Sequence, residues 1–156
     1  MTTTNSSWLT STNEEYYEVP YKSINAPIMI PFSITIADAA VDVIGDVINF
    51  VKIPQSSKLL FMYYAISKLD SGTECDLDIQ ITETLDGTTT TTTLLNGASL
   101  GQSATSAYVF PAVSASFLHE GTPTDDGTAT IRMAQIATFT PGNSSAGTVK
   151  GFVVYI

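Results

Sequence analysis

Lysine and arginine are scarce in this chain. There are six in 156 residues, against fifteen aspartates and glutamates, for a net charge of −9. A chain so acidic repels phosphate backbones and anionic lipid headgroups, which makes nucleic acid and anionic membrane surfaces poor partners. Cysteine and histidine are almost missing. Cys75 has no second cysteine with which to form an internal disulfide, and His119 alone excludes a histidine-rich metal site. There is no G-x-S-x-G, no P-loop and no H-E-x-x-H, so the motifs of nucleophilic, phosphate-cradling and zinc chemistry are absent. Long apolar runs are lacking too. The most apolar stretch, residues 26–37, is 12 residues long and is broken by Pro27, Pro31, Ser33 and Thr35, too short to span a bilayer. Residues 1–11 are polar and carry no Lys or Arg, so the charged start and apolar stretch of a signal peptide are not seen and synthesis in the cytoplasm is expected.

Small hydroxyls are abundant instead. Twenty-three threonines and sixteen serines make up a quarter of the chain, hydrophobic residues 44% and charged residues only 13%. This is the composition of a β-rich protein with a hydroxyl surface. The length suits one domain, or one domain with an arm.

Residues 1–27 differ from the rest of the chain. Thr2, Thr3, Thr4, Ser6, Ser7, Ser11 and Thr12 surround a lone Trp8, and Glu14, Glu15, Tyr16, Tyr17, Pro20 and Pro27 come after. Solvating tails are poor in aromatics. Trp8, Leu9, Tyr16, Tyr17, Val19 and Tyr21 are therefore too dense a set for one, and the segment reads as an extended N-terminal arm that orders by docking onto a partner. Trp8, Leu9, Tyr16, Tyr17 and Tyr21 are its candidate partner-binding residues, since such side chains bury much area with few rotamers to freeze.

Residues 28–156 read as one all-β domain, an antiparallel β-sandwich or jelly roll, because strand patterns recur between turn signals. Residues 47–53 alternate, with Val47, Asn49, Val51 and Ile53 on one face and Ile48, Phe50 and Lys52 on the other, and Pro54 closes the strand. Residues 58–67 are apolar on both faces, which calls for cover on both sides by a second sheet and an arm or a neighbouring subunit. In residues 76–85, Leu77, Ile79, Ile81 and Leu85 point inward, and Asp78, Gln80, Thr82 and Thr84 are expected in solvent. Asp86-Gly87 is a hairpin signal. The six threonines 88–93 after it read as a β-prone strand or loop edge rather than an ice-binding or glycan-bearing array. Residues 94–97 end that segment. Residues 100–118, rich in Ala and Ser and broken by Pro111, suit one short helix or a long connection. Residues 128–135 and 147–156 are strands. In the last, Val149, Val153 and Tyr155 share one face and Phe152, Val154 and Ile156 the other, so the chain is expected to end within its own core.

Catalytic residues are not expected. Glu74 and Asp76 flank Cys75 and would raise its pKa, suppressing the thiolate, and His119 sits in a turn-like stretch. Acidic turns around Asp38, Asp42 and Asp46, around Asp70, Glu74, Asp76 and Asp78, and at Asp125 and Asp126 offer oxygen ligands but no EF-hand spacing, so they read as solvated turns. No cofactor or metal is expected.

One set of segments goes further than composition. Residues 46–54 (DVINFVKIP), Leu59-Leu60, residues 66–73 (ISKLDSGT), residues 77–79 (LDI) and the closing residues 146–156 (AGTVKGFVVYI) resemble the small capsid decoration, or cement, proteins of tailed bacteriophages, particularly those of marine and cyanobacterial phages. The resemblance covers residues 41–85 and 146–156. It implies a β-sandwich or jelly roll on the outside of the virion shell, bound to the major capsid protein, often as a homo-oligomer (trimer) at local threefold positions, with no catalytic residues. The neighbouring alternatives are another virion component, such as a tail, neck or fibre protein, and a glycan-binding module using Tyr63, Tyr64 and Tyr108.

Overall fold

Strands dominate the residues described in the computed structural model, which are 3–5, 26–37, 45–54, 57–69, 76–85, 87–98, 100–111, 128–135 and 146–156, and none of these residues is helical. In chain order the strands are β1 (Thr3–Asn5), β2 (Ile28–Ile36), β3 (Val47–Pro54), β4 (Leu59–Ile66), β5 (Leu77–Leu85), β6 (Thr88–Ala98), β7 (Thr105–Val109), β8 (Thr128–Gln135) and β9 (Gly147–Tyr155).

The topology grows outward from one tight turn. Leu85 pairs with Thr88, so β5 and β6 are joined by Asp86-Gly87 alone. Gly87 has φ of 74°, a left-handed conformation that glycine adopts without a Cβ penalty. Moving away from this turn along both arms of the chain, β4 pairs with β7, β3 with β8 and β2 with β9, all antiparallel. The result is a single long hairpin whose successive strand pairs fall alternately into two sheets, joined by β4–β9 pairing in one and β5–β8 pairing in the other. The sheets run β2-β9-β4-β7 and β1-β3-β8-β5-β6. Nested hairpin pairs divided over two sheets in this way are the winding of a jelly roll, which decides between the two all-β expectations. β1 is an addition to that plan, paired in parallel with β3 through Thr3–Val47, Thr4–Ile48 and Asn5–Asn49. The segment expected as an arm thus begins with three residues on the domain's own sheet edge. Its partner-binding candidates Trp8, Leu9, Tyr16, Tyr17 and Tyr21 lie outside the described residues, as do Cys75 and His119.

The core lies between the sheets. β2 contributes Phe32, Ile34 and Ile36 by strict alternation, β9 contributes Val149, Val153 and Tyr155, and β8 contributes Ala129, Ile131 and Met133. In β3 the expected faces do not hold. Asn49 pairs with Arg132 and Val51 with Ile131, which leaves Phe50 as an extra residue, a β-bulge that turns Phe50 and Val51 to the same side. The inward set is therefore Ile48, Phe50, Val51 and Ile53. β5 departs from its expected pattern as well. Asp78 and Gln80 are not in solvent but 7% and 9% exposed. They sit beside Arg132 of β8, whose Nε donates to Gln80 Oε1 at 3.2 Å, while Gln80 Nε2 reaches Asp78 Oδ2 at 3.5 Å. Burial lowers the pKa of the Arg132 guanidinium. Glu83 is also buried, on the side of β5 that carries Ile79 and Ile81.

Two further expectations are corrected. The Ala/Ser-rich stretch 100–118 contains a strand, β7, rather than a helix in its described part, and β6 runs on to Ala98 instead of stopping at 97. The threonine run forms the edge strand β6, as expected of β-prone residues. Its hydroxyls pair across to β5, Thr82 with Thr91 at 3.3 Å and Thr84 with Thr89 at 3.1 Å.

Across the sandwich, Phe32 of β2 stacks on Phe50 of β3, with ring centroids 4.7 Å apart and planes 4° from parallel. Gly151 of β9, paired with Phe32, leaves the space for that ring. A Cβ there would lie 2.9 Å from Phe32 Cζ and against the Tyr63 carbonyl oxygen. Gly151→Ala is therefore expected to destabilise the fold by about 1–3 kcal/mol, the usual range for overpacking a filled core, measured as a lower denaturant midpoint at unchanged slope. A variant as stable as the parent would show that the ring stack does not depend on this glycine.

Candidate interaction face on the four-stranded sheet

Alternation in the four-stranded sheet sends one set of side chains inward and a second set outward, and the outward set is unusual. Pairing aligns Tyr108, Tyr63, Phe152 and Pro31 in one row across β7, β4, β9 and β2. The next row aligns Phe61, Val154 and Met29, with Phe110 following β7 beside Phe61. Tyr63 lies 5.1 Å from Tyr108 and 5.6 Å from Phe152 between ring centroids. Phe61 lies 5.8 Å from Phe110, 6.0 Å from Tyr108 and 6.2 Å from Phe152. These are separations at which aromatic pairs attract beyond their area burial.

The five rings form one connected cluster, half-buried at its centre and open at its margin. Met29, Tyr108 and Phe110 are 61%, 57% and 69% exposed, and among the described residues they are the exposed large hydrophobics. All three fall toward one end of one sheet face, Met29 on the edge strand β2 and Tyr108 and Phe110 at the opposite edge, with the half-buried Phe61, Tyr63 and Phe152 between them. Scattered exposed apolar side chains carry no message, whereas a contiguous patch marks a surface that something else covers.

Charge sets this face apart. None of β2, β4, β7 and β9 contains an Asp or Glu, and the one charged residue within them is the exposed Lys150 of β9. The side of the five-stranded sheet turned away from the core is polar instead, with Asn49, Lys52, Thr82, Thr84, Thr130 and Arg132 around the buried Asp78 and Gln80. No three His, Cys, Asp or Glu side chains come together as a metal site among the described residues.

The sequence had pointed to part of this face. Residues 58–67 were expected to need cover on both sides, and β4 has its inner side in the core and its outer side in the aromatic cluster. Tyr63 and Tyr108 lie in the cluster. Tyr64 does not, since it faces the core at 4% exposure, and burial pushes its phenol pKa up, as it does for Tyr155. Met29, Phe61, Phe110 and Phe152 were not singled out, because their convergence depends on the pairing of strands far apart in the chain and, for Phe110, on β7.

No protein-family model matches the chain, and no curated protein matches it in sequence. Two solved structures share its fold. A chain in the capsid of Ralstonia phage GP4 is 19% identical, with a TM-score of 0.65 over 88% of each chain. A chain in the capsid asymmetric unit of cyanophage Pam1 is 16% identical, with a TM-score of 0.56 over 94% of this chain and 96% of that one. Identities so low establish likeness of fold.

A cluster that serves an interface contributes little to folding, and a core ring contributes much. The double variant Tyr108→Ser/Phe110→Ser should change unfolding free energy by under about 1 kcal/mol, while Phe50→Ala costs about 3–5 kcal/mol. Equal losses in a denaturant titration at low protein concentration would place the outer rings in the folding core instead.

Proposed function

We propose that this protein is a structural component of a tailed-bacteriophage virion, one that decorates and cements the capsid by binding the major capsid protein on the outside of the shell. It is made in the host cytoplasm, carries no catalytic activity and resides on the capsid surface, often a trimer in the proteins it resembles. The observation that carries this reading is a jelly roll shared, over nearly the whole chain, with chains of two phage capsids. The resemblance of residues 46–54, 66–73 and 146–156 to decoration proteins supports the finer assignment to the shell exterior.

The physics of such a role is mass action. A protein that bridges several shell subunits binds only the assembled lattice, and each contact stabilises the assembled state over the dissociated one. An arm rich in large side chains suits that task. Ordering it costs about 1–2 kcal/mol per residue in backbone entropy, which is offset only where Trp8, Leu9, Tyr16, Tyr17 and Tyr21 find pockets on a partner. A second reading, a glycan-binding module, draws support from the exposed Tyr108 and Phe110 rings, since jelly rolls also serve as lectins.

Deletion of residues 6–25 tests the assignment. The truncated protein is expected to melt within a few degrees of the full chain and to lose sedimentation with shells stripped of it. Undiminished shell binding, or outright unfolding, would contradict the role given to the arm. Failure of the full chain itself to bind such shells, with retention on a glycan array, would favour the second reading.

A further inference from the structure

We propose that the free edge of β6 at residues 88–93 is a strand-addition site, which takes an extended segment of a different polypeptide as a further strand of the five-stranded sheet. This goes beyond the virion reading and does not rest on it, since the edge is a property of the free molecule.

Sheet edges expose unpaired backbone groups, and folded proteins guard them by shortness, proline, charge or cover. The described strands leave β1, β6, β2 and β7 at the edges of the two sheets. β1, which itself covers β3, has three residues and β7 has five, too short to template a long pairing. β2 carries Pro31 near its centre. β6 is different. It runs for 11 residues, contains neither proline nor a charged residue, and is the longest of the described strands. Its register shifts fall at Leu94-Leu95 and beyond, so residues 88–93 pair with β5 without interruption.

The hairpin turn fixes which backbone groups face outward. Leu85 and Thr88 flank the two-residue turn Asp86-Gly87 and are therefore its closing, hydrogen-bonded pair. Alternation then makes Thr84–Thr89 and Thr82–Thr91 non-hydrogen-bonded pairs. The side chains agree, because residues of such pairs lie closer together, and it is at these two pairs that the hydroxyls meet, at 3.1 and 3.3 Å. The N–H and C=O groups of Thr89, Thr91 and Thr93 thus point away from β5. They repeat about every 6.8 Å, a spacing that an extended backbone matches.

The same residues select the occupant. Thr88, Thr89, Thr90 and Thr91 are all exposed, so the strand is open on both of its faces and an added strand meets only small hydroxyls. β-Branched and hydroxyl-bearing side chains pair best beside them, and the net charge of −9 disfavours an acidic segment. A second copy is a poor occupant. It carries the same charge, and six identical threonines pair equally well at every two-residue shift, so β6 against β6 has no specified register. A different polypeptide brings its own flanking contacts to set one.

Amide hydrogen exchange of the full chain, read by NMR without shells, provides the test. The probe is a capped peptide of alternating threonine and valine with a lysine at each end. In the free protein the amides of Thr89 and Thr91 should exchange freely, while those of Thr90 and Thr92, bonded to β5, are protected. Added peptide should protect Thr89 and Thr91. Thr91→Pro removes an outward N–H, which an edge strand tolerates, and should weaken peptide binding by about fivefold or more, the effect of one lost backbone hydrogen bond. Thr89→Lys/Thr91→Lys leaves the backbone intact and sets like charges before the probe, so binding should weaken by a factor that shrinks at high salt. Absence of peptide protection at Thr89 and Thr91, or binding unchanged by both variants, overturns the proposal. So does protection of these two amides in the free protein. Protection that rises with protein concentration would assign the edge to a second copy, and constant protection would assign it to this chain itself.

Discussion

The stack of Phe32 on Phe50 is the contact on which the arrangement of the two sheets depends. It joins the edge strand β2 of one sheet to β3 of the other, and both of its members require a local departure from regular strand geometry. Phe50 reaches inward because it is the extra residue of a bulge, and Phe32 has room because its pairing partner on β9 is Gly151. A bulge and a glycine normally weaken a strand. Here they set the facing of everything beside them. With Val51 returned to the inner side, Ile48, Val51 and Ile53 meet Met133, Ile131 and Ala129 in register, and Arg132 is left outside with Gln80. On β9 the same phase places Val153 and Tyr155 inside and Phe152 outside, so the aromatic outer face follows from the packing of the inner one.

Much of this was legible in the chain, because half-buried antiparallel strands write their facing as period-two alternation. β2 follows that rule along its length and β9 in its first half, and Asp86-Gly87 marks the turn at the centre of the winding. What could not be read were the inserted residues. Of the four register shifts among the described strands, three fall at apolar doublets, Phe50-Val51 in β3, Leu59-Leu60 in β4 and Leu94-Leu95 in β6, and the fourth lies between Leu95 and Ala98. In a linear sequence such a doublet is indistinguishable from a strand buried on both faces, which is how 58–67 presents itself. β7 was hidden for a different reason. Its outward and inward positions are Ser106, Ala107, Tyr108 and Val109, with too little contrast between faces for a periodic signal. Asp78 and Gln80 mislead because a central strand can bury polar groups when Arg132 on the neighbouring strand supplies a donor, a pairing fixed only by the β5–β8 register.

The two outer faces divide the molecule's surface chemistry. The five-stranded sheet presents amides, hydroxyls and charge, and its edge β6 is a ladder of threonines bonded across to β5. The four-stranded sheet presents rings, hydroxyls and Lys150, and its strands contain no carboxylate.

The central claim is that this jelly roll sits on the outside of a phage shell. An icosahedral reconstruction of the particle that carries it tests the claim most directly. The expected result is density fitting the two sheets on the outer surface, in contact with the major capsid protein, with residues 6–25 traced onto a neighbouring subunit. Density confined to the tail or neck, or no such density on a particle shown to contain the chain, would contradict it.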